Sequence, residues 1–197
     1  MPTGVHIRDA RAQLFDAAER VLLRDGANAL TSRAVTTEAG CAKGVLHRHF
    51  TDFDAFLAEL VLDRVGRMDD RTAALRESTG TGTVAGNLTG ALMSLFESAA
   101  LAFVGLIAAR DELRARLRRD LPAGVPVLTE AAIMIASYLA AERDLGRIAP
   151  DADVDTLSAM LIGTTHLLYA GHDATPPETG AVAKIVTTVL AGAAPRT

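Results

Sequence analysis

At 197 residues, with 49% hydrophobic and 22% charged side chains, the chain is long enough for one large or two small domains and too apolar to be mainly disordered. Cys41 is the sole cysteine, which excludes an intrachain disulfide scaffold and points to a reducing compartment. The net charge of −4 is unevenly spread: residues 1–50 hold seven Arg or Lys against five Asp or Glu, and the remainder thirteen against nineteen. Any contact with phosphates is therefore expected from the first fifty residues, assisted by His6, His47 and His49 when protonated. The longest mostly apolar stretch, 91–109, is interrupted by Ser94, Glu97 and Ser98, so it reads as protein core rather than a lipid-spanning helix. Residues 1–15 lack the apolar core of a secretory signal, and a cytoplasmic protein with no membrane partner is expected.

Alanine and leucine abound and strand-like alternation is nowhere sustained, so the expected class is all-α. Residues 8–24 place Leu14, Ala18, Val21 and Leu22 on one stripe, with Gly26 at the stop position. Thr31 can cap a short second helix ending near Ala39; Gly40-Cys41-Ala42 makes a tight turn, and 43–49 form a third helix. Helices this short cannot stand alone, and Leu30, Val35, Ala39, Leu46 and Phe50 are the residues expected to pack them on helix one. Asp52 is placed to cap a long fourth helix reaching Glu77. The Ser/Thr/Gly run at 78–83 is a connector, and further helices are expected near 83–108, 110–120, 124–145, 153–171 and 178–192, about nine in all.

Two short helices joined by a glycine-containing turn on a three-helix scaffold are the ingredients of a helix-turn-helix. The residues Leu14-Phe15, Ala17-Ala18, Gly26, Thr31, Val35, Ala39-Gly40, Lys43-Gly44, Leu46, Arg48-His49-Phe50 and Asp52 resemble the amino-terminal signature of the tetracycline-repressor (TetR) family over roughly residues 8–62. The Gly-Arg-Ile-x-Pro-Asp stretch at 146–151 is similar to the approach to that family's penultimate helix. The resemblance implies a helix-turn-helix DNA-binding domain over residues 1–52 and a helical ligand-sensing and dimerisation domain over 53–197.

An α-helix enters the major groove through its N-terminal residues, and Gly44 lets the backbone approach the duplex closely. Lys43, one of two lysines in the chain, could reach a guanine edge or a phosphate, and Val45 a thymine methyl. Arg48 and His49 add charge. His47 stands where the family usually has a phosphate-contacting tyrosine. Thr31, Ser32 and Arg33 at the start of helix two would grip the backbone and set register. Ala42 replaces a common capping serine, and Phe53 a lysine usual at the start of helix four.

Competing motifs fail on context. Gly80-x-Gly82-x-x-x-Gly86 follows a helix rather than a strand and has the wrong spacing for a nucleotide loop. The basic run Arg110, Arg114, Arg116, Arg118 and Arg119 is interleaved with Asp111, Glu112 and Asp120 over a Leu113, Leu117, Leu121 stripe, and reads as a solvated amphipathic helix. His166 and His172 lack the spacing of a metal pair, no catalytic constellation is present, and neither metal nor cofactor is expected.

The larger carboxy-terminal part is expected to dimerise and to sense. Leu157, Leu161, Leu168, Val182, Ile185, Val186 and Val189 on the last two helices would form a two-fold four-helix interface. Met93, Phe96, Phe103, Met134, Met160, Tyr138, His166 and Tyr169 could line an apolar effector pocket, although Met and Phe at helical spacing are more often core. The reading is a homodimeric, ligand-responsive repressor whose partners are double-stranded operator DNA, itself and a small effector. The competing reading is a dimeric helical adaptor that has lost specific DNA binding.

Overall fold

A computed structural model of the chain describes residues 10–97, 99–122, 124–171 and 176–194, so His6 and His172 lie outside the described residues. All regular structure among those residues is helical. The packing divides into two units: residues up to 63 together with 102–122, and residues 64–101 together with 123 onward.

In the first unit, α1 (Ala10–Asp25) buries Leu14, Phe15, Ala17, Ala18, Val21 and Leu22, the stripe that the sequence places on one face. A 3-10 turn (Ala27–Ala29) leads to α2 (Ser32–Glu38) and α3 (Gly44–His49). Leu30, Val35, Ala39, Leu46 and Phe50 are all buried, as expected for the side chains that seat two short helices. Phe15, Phe50 and Phe56 meet with ring centroids 5.0–5.9 Å apart, joining α1, the end of α3 and α4 (Phe53–Gly66). Each buried ring contributes on the order of 1.5–3 kcal/mol.

The expected single fourth helix is corrected to two, α4 and α5 (Met68–Glu77), interrupted at Gly66–Arg67. Glycine weakens a helix interior by about 1 kcal/mol, and the interruption follows it directly. The expected helix 83–108 likewise divides into α6 (Val84–Phe96) and α7 (Ala100–Ala108), with the Glu97 amide closing α6 on the Met93 carbonyl at 2.9 Å. These two interruptions raise the expected nine helices to eleven among the described residues, completed by α8 (Asp111–Asp120), α9 (Leu128–Asp144), α10 (Val154–Ala170) and α11 (Thr179–Leu190).

In the second unit α10 packs on α9, α11 and α6, and α5 packs on α9. The connector at 78–83 is pinned there by a fully buried carboxylate. Glu142 Oε1 accepts from the Gly80 amide at 3.2 Å, Arg147 lies 3.1 Å from Oε2, and Arg147 Nη2 donates to the Gly82 carbonyl at 2.7 Å. Among the described residues, no single helix is long and apolar enough to cross a membrane.

The seam expected on the last two helices needs correction in part. Leu161, Val182 and Val186 are 0% exposed within one chain, so they fill its own core and cannot reach a second copy. Their helical stripe is consumed where α10 and α11 pack on α6 and on each other. Leu157, Leu168, Ile185 and Val189 are half-buried.

Val186→Asp should therefore unfold the chain rather than only separate two copies. An unpaired carboxylate in the core is expected to cost about 4 kcal/mol or more. Circular dichroism during urea titration checks this, and a variant retaining wild-type helicity and midpoint would show that Val186 is not in the core.

Candidate nucleic-acid interface

The start of α2 is set by Thr31, whose extended backbone lets Oγ1 accept from the Ala34 amide at 3.2 Å. Gln13 Nε2 donates to the Ala39 carbonyl at 2.7 Å, and Arg20 and Arg24 reach Glu38 at 2.8 and 3.0 Å, fastening α2 to α1. Hydrogen bonds from these two arginines hold the Glu38 carboxyl below its usual range. Gly40 turns the chain at φ +65°, a left-handed conformation that glycine takes without a Cβ clash. Burial pushes the neighbouring Cys41 thiol up, which suits a small apolar turn residue rather than a reactive thiolate.

Around α3, Leu46 and Phe50 face inward while Lys43, Gly44, His47, Arg48 and His49 are exposed and Val45 is half-buried. A Cβ at Gly44 would meet nothing within 4 Å, so the backbone there is open to a close neighbour. Ala42, Thr31 and Arg33 are exposed as well; Ser32 is half-buried, with its Oγ enclosed and without a hydrogen-bond partner. α3 begins at Lys43 without a side-chain cap, the local consequence of alanine at 42. The result is a six-residue helix with two cations and two imidazoles presented to solvent, backed by a closed apolar face.

Two residues that the sequence reading left in solvent belong to this unit's framework. Arg110 Nη2 donates to the Leu30 carbonyl at 2.8 Å, its Nη1 lies 3.5 Å from Asp54, and its guanidinium stands 5.4 Å from the Phe53 ring. Arg116 donates to Asp52 Oδ2 at 2.5 Å, while Asp52 Oδ1 caps α4 by accepting from the Ala55 amide at 2.8 Å. The amide and the guanidinium together hold the Asp52 carboxyl below its ordinary range. The amphipathic pattern was legible in Leu113 and Leu117, both buried; partners dozens of residues away were not.

The residues considered for an effector pocket do not all converge. A cavity of about 380 Å³ in the second unit is lined by Arg71, Leu75, Asn87, Ala91 and Ser94 among others, and by Met134, the one expected residue to line it. Met134 also lines a second cavity of about 300 Å³ with Met68, Thr72 and Ile133. Phe103 is buried in the other unit. Tyr138 is fully buried and its hydroxyl accepts from Asn87 Nδ2 at 3.0 Å, so it serves the connector network. Phe96 stacks on Tyr169 at 5.4 Å and lies 6.2 Å from His166. The Tyr169 hydroxyl, His166 Nδ1 and Thr165 Oγ1 are enclosed without hydrogen-bond partners. Met93 is half-buried and Met160 exposed.

With this geometry in place, residues 14–60 match the model of the bacterial regulatory proteins, tetR family. No curated protein matches the chain. The fold is shared with solved regulators across almost the whole length. The fatty acid degradation regulator FadR of Bacillus halodurans is 19% identical with a TM-score of 0.71, covering 98% of each chain. FadR of Bacillus subtilis, in complex with stearoyl-CoA, is 17% identical with a TM-score of 0.69, covering 92% of this chain and 98% of its own. The ketosteroid transcriptional regulator of Mycobacterium tuberculosis is 20% identical with a TM-score of 0.62, covering 96% and 97%.

Burial, with the Glu142 carboxylate beside it, pushes Tyr138 from 10.0 up to about 12, and burial also raises Tyr169. A raised acid favours its neutral form in the folded state, so the stability contributed by Tyr138 is complete below pH 10 and is lost as pH rises towards 12. Ultraviolet titration should show no phenolate near pH 10 from Tyr138 while the helical signal persists, with Tyr169 ionising above its ordinary value. Ionisation of one tyrosine at its ordinary value, with the fold intact, would contradict the burial.

Proposed function

Because residues 14–60 match the model of the bacterial regulatory proteins, tetR family, we propose that this protein is a transcriptional repressor that grips a palindromic operator as a homodimer and releases it on binding a small, largely apolar effector. The observation that carries the reading is the exposed face of α3. Lys43, Gly44, His47 and Arg48 share one side of a helix whose other side is anchored by Leu46 and Phe50. That arrangement suits entry into a major groove, with exposed Thr31 and Arg33 gripping phosphates at the start of α2, while the enclosed Ser32 hydroxyl is not offered to them.

The dimer face is reassigned from the buried residues to the exposed side of α10. Met160 is 49% and Leu167 73% exposed, two helical turns apart with Gly163 and Thr164 between them. Half-buried Leu157, Leu168, Ile185 and Val189 would flank them in a two-fold contact. The effector would occupy the cavity beside Met134, whose apolar Leu75 and Ala91 walls are joined by polar Arg71, Asn87 and Ser94. Neighbours of the same fold, one bound to stearoyl-CoA and one a ketosteroid regulator, support an effector with a large apolar part. The second reading, a helical adaptor without specific DNA binding, draws on the uncapped start of α3.

Selection of bound duplexes from random DNA tests the function. Recovery of a palindrome is expected, with affinity falling steeply as salt rises because phosphate contacts release counterions. Lys43→Ala or Arg48→Ala should weaken binding about tenfold or more without moving the thermal melt. Failure to enrich any sequence would favour the adaptor. Independently, Met160→Glu with Leu167→Glu should leave a folded monomer in sedimentation at micromolar concentration; an intact dimer would place the interface elsewhere.

A further inference from the structure

The start of α4 carries an electrostatic problem for a DNA reader. Asp52 and Asp54 follow α3 directly, and Phe53 between them brings no positive charge. Two carboxylates beside a helix that must approach phosphates would repel them. Both are met by arginines from a distant part of the chain: Arg116 bonds to Asp52 at 2.5 Å and Arg110 lies 3.5 Å from Asp54. Arg110 does more than neutralise. It donates to the carbonyl of Leu30, the residue just before the Thr31 cap, and its guanidinium stands over Phe53, which itself stacks on Phe56 at 5.6 Å. One planar, forked cation thus reaches the approach to α2 and the start of α4 at once, a geometry that an ammonium could not reproduce.

We infer that Arg110 and Arg116 are positioning residues of the DNA reader: from α8 they clamp both ends of the helix-turn-helix and cancel the charge of Asp52 and Asp54, without touching DNA themselves. The inference rests on the DNA-binding reading above. Residues 102–122 pack in the same unit as the reader, so a displacement of α8 breaks the clamp directly. The interruption at Gly66–Arg67 removes the alternative of one rigid helix running from Asp52 to Glu77. The clamp therefore makes α8 the control point: whatever shifts it loosens the reader and uncovers two negative charges beside the operator.

The test uses the full chain and a fluorescent duplex recovered by wild-type selection. Arg116→Ala should weaken binding about tenfold with an unchanged slope of log affinity against log salt, since no phosphate contact is lost. Asp52→Asn added to Arg116→Ala should restore affinity to within about threefold, because asparagine caps a helix as well as aspartate does but carries no charge to neutralise. Arg110→Ala should weaken binding similarly, with little recovery in Arg110→Lys. In the DNA-free protein, hydrogen exchange should quicken at the Ala34 amide in Arg110→Ala and at the Ala55 amide in Arg116→Ala. Wild-type affinity in both alanine variants overturns the inference, as does a salt slope lowered by about one in Arg116→Ala, which would make that arginine a phosphate contact. Unchanged exchange overturns the clamp whether or not DNA binds. A wild-type chain that binds no duplex overturns the DNA-binding reading instead, and the exchange measurement alone then decides whether the clamp exists.

Discussion

The geometry of the α2–α3 pair depends on three phenylalanine rings. Phe15 comes from α1, Phe50 from the residue that ends α3 and Phe56 from the second turn of α4, and they meet at 5.0–5.9 Å. Neither α2 nor α3, at seven and six residues, would persist in isolation, so their orientation is inherited from what they are packed on. Phe50 leaves the helix in an extended conformation, and its burial draws the end of α3 inward. The Arg11 guanidinium covers its ring at 4.7 Å. With that end fixed and Leu46 buried, Lys43, His47 and Arg48 have only the outward side of α3 left to occupy.

The ring cluster also explains why phenylalanine at 53 is compatible with a charged neighbourhood. Phe53 extends the stack from Phe56 and offers its face to Arg110. A lysine there would bring its own charge; the aromatic ring instead receives a cation from α8, and Asp52 receives another from Arg116. Positive charge at the start of α4 is thus supplied by tertiary contact. The first fifty residues themselves carry a local excess of only two positive charges in a chain that is acidic as a whole.

In the second unit the comparable constraint is polar. Glu142, buried completely, accepts from the Gly80 amide at Oε1 and is ion-paired with Arg147, while Asn87 spans the Ser78 and Thr81 carbonyls and the Tyr138 hydroxyl. A buried network of this kind holds one arrangement, since breaking any member strands the others in a low dielectric. It borders the cavity at Asn87 and commits Tyr138 to structure. Thr165 differs from Thr72, Thr89 and Thr187, which close on the carbonyl four residues back; its hydroxyl stays without a partner, as do His166 Nδ1 and the Tyr169 hydroxyl.

What the sequence by itself determined is local and periodic. The all-helical class, the stripe on α1, the Thr31 and Asp52 caps, the turn at Gly40 and the core residues Leu30, Val35, Leu46 and Phe50 all follow from 3.6-residue spacing and backbone preferences acting within a few residues. Periodicity identifies an apolar stripe but not what covers it, which is why Leu161, Val182 and Val186 read as an interface and lie in the chain's own core. Nor can it reveal that Arg110 meets Leu30, Asp54 and Phe53, or that Arg116 meets Asp52. Those partners are separated by more than fifty residues, and a charged side chain on an amphipathic helix looks the same in sequence whether it faces water or another helix. Only the packing of α8 with the reader decides which of the two it does.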